Sequence, residues 1–164
     1  MLDKTGIIRR LAHADAKATS ELERWRGLAD PDPSAFAESI RRYVLCKFLL
    51  DDEDPVPETH DLRELSMLSV EKAGRLNPNE ATLLDVSRHC GSTSSHMTKK
   101  VLLLMALAKH FDISYAPYDT ADIETTDELA RIVGEKVAEK AAETAAEKAA
   151  ETAAETRGDK TADA

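Results

Sequence analysis

An all-helical fold is predicted for this chain of 164 residues by three observations. Its apolar residues recur at steps of three and four in nearly every informative segment, the spacing of one helix face. No alternating apolar–polar run of useful length competes with that pattern. Prolines, acidic runs and cap-type residues fall between the periodic segments, where helices need to stop and start. From residue 138 onward there is no large apolar residue, so the core has to be built from what precedes it. That leaves enough chain to bury a hydrophobic centre.

The first periodic segment runs from Asp3 to about Leu28, with Ile7, Leu11, Ala14, Ala18, Leu22 and Trp25 on one face. Pro31-Asp32-Pro33 stops it, and Ser34 is placed to cap the next helix. That helix reaches about Leu50 on a broad stripe of Phe36, Ile40, Tyr43, Val44, Phe48 and Leu49, which predicts burial. The acidic run Asp51-Asp52-Glu53-Asp54, followed by Pro55 and Pro57, opposes the dipole at a helix carboxyl end and breaks the chain there. Thr59 or Asp61 then starts a shorter helix through Leu62, Leu65, Leu68 and Ala73, with Gly74 as its stop.

Asn77-Pro78-Asn79 reads as a turn, and Ala81 to Gly91 as a structured loop pinned by Leu83, Leu84 and Val86. Ser92 to Ser95 are cap-type residues ahead of a long helix whose predicted apolar face is Met97, Val101, Leu104, Leu107 and Phe111. A short helical turn is expected over Asp119 to Ile123. Thr125 and Glu128 have the spacing of a capping box ahead of Leu129, Ile132, Val133 and Val137. Beyond Val137 the chain repeats an Ala-Glu-Lys/Thr-Ala unit with Glu at 139, 143, 147, 151 and 155. Alanine favours helix, glutamates four apart repel, and no stripe is present to dock, so an exposed helix or a disordered spacer is expected. The predicted organisation is an N-terminal helical extension (1–33), a helical domain (34–137) and a low-complexity tail (138–164).

Charge narrows the partners. The net charge is −9, with 31 acidic against 22 basic residues, a poor match for nucleic-acid phosphate unless the cations cluster. Arg9-Arg10, Arg41-Arg42 and Lys99-Lys100 are separated pairs, expected at solvated helix edges. No apolar run of roughly 18 residues is present, and the segment from Met1 to Leu11 has no apolar signal core, so neither a membrane span nor a secretory signal is expected. Two cysteines, Cys46 and Cys90, make no disulfide framework, and a reducing cytoplasm is the expected location.

No catalytic motif emerges. His89, Cys90 and His96 are residue types that bind zinc, but their spacing matches no common site, and no metal is expected. There is no Gly-x-Ser-x-Gly, no phosphate-cradling glycine loop and no His-Glu-x-x-His, so the chain is not expected to be an enzyme. The stretch Ala106 to Ser114 is similar to the first half of a helix-turn-helix, with Asp112-Ile113-Ser114 as the turn. The following Tyr115-Ala116-Pro117-Tyr118-Asp119 carries no basic residue to meet phosphate or base edges.

A second likeness covers about a third of the chain, from Asn79 to Val133. Ala81-Thr82-Leu83-Leu84-Asp85 closes the long loop, and Leu107-Ala108-Lys109-His110-Phe111-Asp112-Ile113 closes the long helix. Ile123-Glu124-Thr125-Thr126-Asp127-Glu128-Leu129-Ala130 opens the last one. In these three phrases the chain resembles acyl carrier proteins. The resemblance implies an acyl-carrier-like bundle and a non-catalytic carrier that presents a thioester to partner enzymes. It implies 4′-phosphopantetheine as cofactor, joined by a phosphodiester to a serine opening the long helix. Ser94 is the preferred site and Ser95 the next, since a helix amino end stabilises phosphate. Where the family shows Asp-Ser-Leu, this chain has Gly91-Ser92-Thr93-Ser94-Ser95-His96-Met97. Lys99 and Lys100 place basic residues where the family presents acidic ones. The implied partners are a phosphopantetheinyl transferase and acyl-transferring enzymes, with no nucleic acid and no membrane. Ser34–Leu50 and Asp61–Ala73 both remain open as the family's first helix. The plainer alternative is that the serines only cap the helix, leaving an unmodified protein-interaction module of the same fold. The helix-turn-helix DNA binder is the third reading.

Overall fold

The computed structural model describes residues 4–26, 28, 32–76, 95–116 and 118–158. Among these the chain forms five α-helices and no strand: α1 (Lys4–Glu23), α2 (Pro33–Lys47), α3 (Leu62–Leu76), α4 (Ser95–Phe111) and α5 (Thr126–Gly158). The fold is the all-α bundle that the periodicity predicts, and no described helix is long and apolar enough to cross a membrane. Helix α2 is central, packing against both α1 and α5, while α3 packs on α4. One core joins them, and Ala18, Leu22 and Trp25 of the first segment belong to it together with Phe36, Ile40 and Val44. Trp25 meets Phe36 edge-on at 5.5 Å, and Phe36 in turn lies 5.9 Å from Phe111.

Several helix ends differ from expectation for identifiable reasons. The cap of α2 is Asp32, not Ser34: its carboxylate accepts the Ser34 N–H, and Pro33 fills the first helical position, where no donor is needed. Helix α2 ends at Lys47, short of Leu50, because the chain turns left-handed at Leu49 (φ 58°). The Leu49 N–H then reaches the Cys46 carbonyl and the Leu50 N–H the Leu45 carbonyl, closing the orphan acceptors. The acidic run beyond it is held by Lys72, which donates to the Leu49 carbonyl and pairs with Asp52 and Glu53. Gly74 does not end α3, which continues to Leu76. A glycine is tolerated inside a helix at a modest cost and by itself marks no end.

Both Thr59 and Asp61 take part in starting α3. The Asp61 carboxylate accepts the Glu64 N–H at 2.8 Å, and the Thr59 hydroxyl accepts the Asp61 N–H at 3.2 Å. At α5 the predicted capping box is formed. The Glu128 N–H donates to the Thr125 hydroxyl, and the Glu128 carboxylate accepts the N–H groups of Glu124 and Thr125, each at 2.9 Å. The two starts are tied together. The Leu62 N–H donates to the Glu124 carbonyl and the Thr126 N–H to the His60 carbonyl, an isolated antiparallel bridge.

Residues 118–122 form turns instead of the short helix expected at Asp119 to Ile123. Beyond Val137, the last buried residue among those described, α5 continues to Gly158, and its side chains from Ala142 to Thr152 are exposed. Its attachment beyond the core is the pairing of Lys136 with Asp119 and of Lys140 with Asp112.

Candidate functional site

The serine region is only partly placed. Ser94 lies outside the described residues, as do Ser92, Thr93, His89, Cys90 and the loop from Ala81 to Gly91. Ser95 is the first residue of α4. The first N–H groups of a helix have no partner within it and carry the positive end of its dipole, so this position favours an anion.

The amino end of α4 opens on a cleft of about 950 Å³ whose described walls come from α3, α4 and the segment before α5. The bridge between residues 60–62 and 124–126 brings Asp61 and Glu124 to one rim. Arg63 and His96 supply nitrogen donors, and Met67, Val70 and Met97 supply apolar wall. Burial holds the His96 imidazole below its ordinary pKa of 6.5, the positive charges of Lys100 and Arg63 lower it further, and Asp61 and Glu124 partly oppose them. His96 is therefore neutral at pH 7. The Asp61 carboxylate is already engaged as the cap of α3.

The orientation of α4 corrects two expectations. Its core face is Lys100, Leu103, Leu104, Leu107 and Phe111, whereas Met97 is 46% and Val101 49% exposed. Lys99 and Lys100 are not solvated edge residues. Lys100 is only 8% exposed, with its ammonium 3.4 Å from the Ala121 carbonyl. Lys99 donates to the Ser69 hydroxyl at 2.9 Å and lies 5.3 Å above the Phe48 ring. Residues 101–108 are apolar all round, so spacing alone leaves the rotation of this helix undetermined. The lysine stems are long enough to lie along apolar neighbours and bring the ammonium to a carbonyl or a ring face. The surface left outward is methionine-rich: Met97, Val101, Leu102 and Met105 on α4, with Met67 on α3.

A polar cluster not singled out by the sequence surrounds His60. Its Nδ1 lies 2.9 Å from the Asp127 carboxylate and 3.1 Å from the Thr126 hydroxyl, and Arg41 Nε donates to its Nε2 at 3.3 Å. A guanidinium only donates, so Nε2 accepts and the proton sits on Nδ1. In that tautomer His60 cannot take a proton from Thr126, and the cluster ties α2 to the start of α5. Cys46 is buried, and burial pushes its thiol up to about 11, which keeps it protonated and unreactive at neutral pH. Among the described residues no group of three or more His, Cys, Asp or Glu side chains gathers to hold a metal.

The helix-turn-helix likeness fails beyond its first helix. Asp112 is left-handed at φ 53°, residues 113–116 are not helical, and turns follow at 118–122. Among the described residues no second helix stands where a recognition helix belongs. Comparisons with protein-family models, curated proteins and solved structures find no match to this chain.

Proposed function

We propose that this chain is a carrier of the acyl-carrier type, with Ser94 or Ser95 bearing a 4′-phosphopantetheine arm at the amino end of α4. The observation that carries the reading is the cleft at that helix end. It offers Arg63, His96 and the positive end of the α4 dipole to a phosphodiester, and Met67, Val70 and Met97 to the uncharged part of an arm. Three carboxylates, Asp61, Glu71 and Glu124, line the same cleft, and Asp61 already accepts the Glu64 N–H, so Arg63 and His96 are the donors that support the reading. Further support comes from the phrases that resemble the family. Leu107, Ile123 and Leu129 are fully buried, and Thr125 and Glu128 form their capping box. The arm's terminal thiol supplies the chemistry, holding an acyl group as a thioester. The protein's part is to orient the arm and to select its partners, a phosphopantetheinyl transferase and acyl-transferring enzymes. In this reading neither nucleic acid nor a membrane surface is a partner, and the protein works in the cytoplasm.

The test is intact mass after incubation of the full chain with coenzyme A and a promiscuous phosphopantetheinyl transferase. A gain of one arm, abolished by Ser94→Ala or Ser95→Ala, is the expected result. No gain with any transferase tried overturns the carrier reading. The second reading, an unmodified interaction module, then takes its place. It is favoured by the outward methionine-rich surface of α3 and α4, since contiguous exposed apolar patches mark contact sites.

A further inference from the structure

Residues 101–108 of α4 are apolar on every side, a pattern that belongs to helices buried all round. In this chain one side alone is buried. Leu103, Leu104 and Leu107 face the core, whereas Val101 and Leu102 are half exposed and Met105 is 63% exposed. Met67 of α3, equally exposed, widens the same surface beside Met97, with which it lines the large cleft. A helix that is apolar on both sides, with one of them in water, calls for a covering molecule.

The two ends of this face indicate which molecule covers it. Met97, Val101, Met105 and Lys109 stand at steps of four and form one ridge of α4, about 18 Å long at 1.5 Å per residue. Its middle is apolar, and its ends carry opposite charge. At the carboxyl end Lys109 is exposed, and among the described residues no ion pair holds its ammonium. At the amino end the ridge reaches the cleft that Met97 shares with Glu124, an exposed carboxylate held by no ion pair among the described residues. Such a face is complementary to itself. A two-fold axis through the middle of the ridge sets Val101 against Met105 of a second copy. The same rotation brings each Lys109 to the amino end of the opposite α4, where Glu124 stands. The ridges of both helices then interdigitate in the commonest packing class, and the two helix dipoles oppose one another.

We propose that this face of α4 binds a second copy of the chain, giving a two-fold dimer in which each copy brings Lys109 to the rim of the other's cleft. The apolar middle supplies the affinity, and the terminal charges fix the direction, because rim charges orient partners more than they hold them. The methionine-rich surface is thereby committed to this chain itself. The proposal is independent of the carrier reading, and its test uses the unmodified chain, so either can fail without the other.

The test is sedimentation equilibrium of the full chain from micromolar to sub-millimolar concentration. Physiological salt is used, to screen the repulsion between two copies of net charge −9. A reversible monomer–dimer equilibrium is expected. Met105→Lys places two cations at the centre of the contact and weakens the dimer by roughly tenfold or more, with the circular-dichroism spectrum unchanged. Should that variant fail to fold, Leu102→Ser on the same face weakens the dimer instead. Lys109→Glu and Glu124→Lys each bring like charges together at both ends and weaken it by roughly fivefold or more. An equimolar mixture of these two variants regains the parent's affinity, because each 109–124 contact again joins opposite charges. A chain that stays monomeric throughout, an assembly larger than two, association left intact in the folded Met105→Lys or Leu102→Ser variant, or a mixture that does not recover overturns the proposal.

Discussion

Replacing Lys100 by glutamate tests the rotation of α4 directly. In the structure Lys100 is 8% exposed, and its ammonium faces the Ala121 carbonyl at 3.4 Å. Lys100→Glu puts an acceptor against an acceptor and leaves a buried carboxylate without its donor, a change that costs about 3–5 kcal/mol. At roughly 2–4 °C per kcal/mol for a chain of this size, the thermal midpoint falls by about 6–20 °C. Lys99→Glu loses a hydroxyl hydrogen bond worth about 1 kcal/mol and a cation–π contact worth about 0.5–1 kcal/mol, so the fall is about 3–8 °C. Lys100→Met, which keeps the buried stem and removes the charge, stays within about 1 kcal/mol of the parent. The same substitution raises the His96 pKa, because the Lys100 charge is one of the causes that lower it. Circular-dichroism melts of the three variants and a histidine NMR titration of Lys100→Met are the assays. A Lys100→Glu midpoint within about 2 °C of the parent, or a larger fall for Lys99→Glu, refutes the inward placement of Lys100.

Three further outcomes follow from the geometry. A Cβ at Gly134 would stand 3.5 Å from the Phe36 ring, an ordinary contact, so Gly134→Ala removes a helix-interior glycine and raises the melting midpoint by about 1–4 °C. The N–H groups of Glu124 and Thr125 hold the Glu128 carboxyl below its ordinary value of 4.5. A depressed folded pKa gives stability that is present above the unfolded value and lost as pH falls through the folded one. The midpoint gap between parent and Glu128→Gln, followed in melts from pH 7 to pH 3, therefore narrows toward the acid end. Truncation after Ala141 removes a helical arm whose described side chains are exposed. It lowers the midpoint by less than about 3 °C while taking away helical signal in far-ultraviolet circular dichroism.

The helices were legible in the sequence wherever polar residues framed an apolar stripe. Ala18 and Leu22 on the first helix, Trp25 in the turn just past its end, and Leu129, Val133 and Val137 on the last helix are all buried as their spacing predicts. Thr125 with Glu128 marked the start of α5 because a capping box is a local device, complete within four residues. The ends that shifted depend on less local chemistry. Ser34 and Asp32 are both cap types, and the fixed φ of Pro33 between them decides in favour of Asp32. Leu49 carries no glycine signal, so nothing in its identity announces a left-handed stop. The hydrogen bonds to Leu45 and Cys46 and the grip of Lys72 on its carbonyl supply that information.

The candidate site was less legible, and α4 shows why. A lysine pair ahead of an apolar run reads as a solvated edge when charge alone is weighed. Yet a lysine carries a four-carbon stem, and Lys99 and Lys100 lie where α3, the end of α2 and the turn at Ala121 offer a hydroxyl, a ring face and a carbonyl. With those partners available, the helix turns its lysines inward and its methionines out, reversing the surface that simple polarity assigns. The consequence reaches the function. If α4 meets another protein, the contact is made by Met97, Val101, Leu102 and Met105, through adaptable apolar packing rather than a row of charges. Such binding loses little affinity as salt is raised, whereas charge-steered docking of an acidic helix weakens steeply.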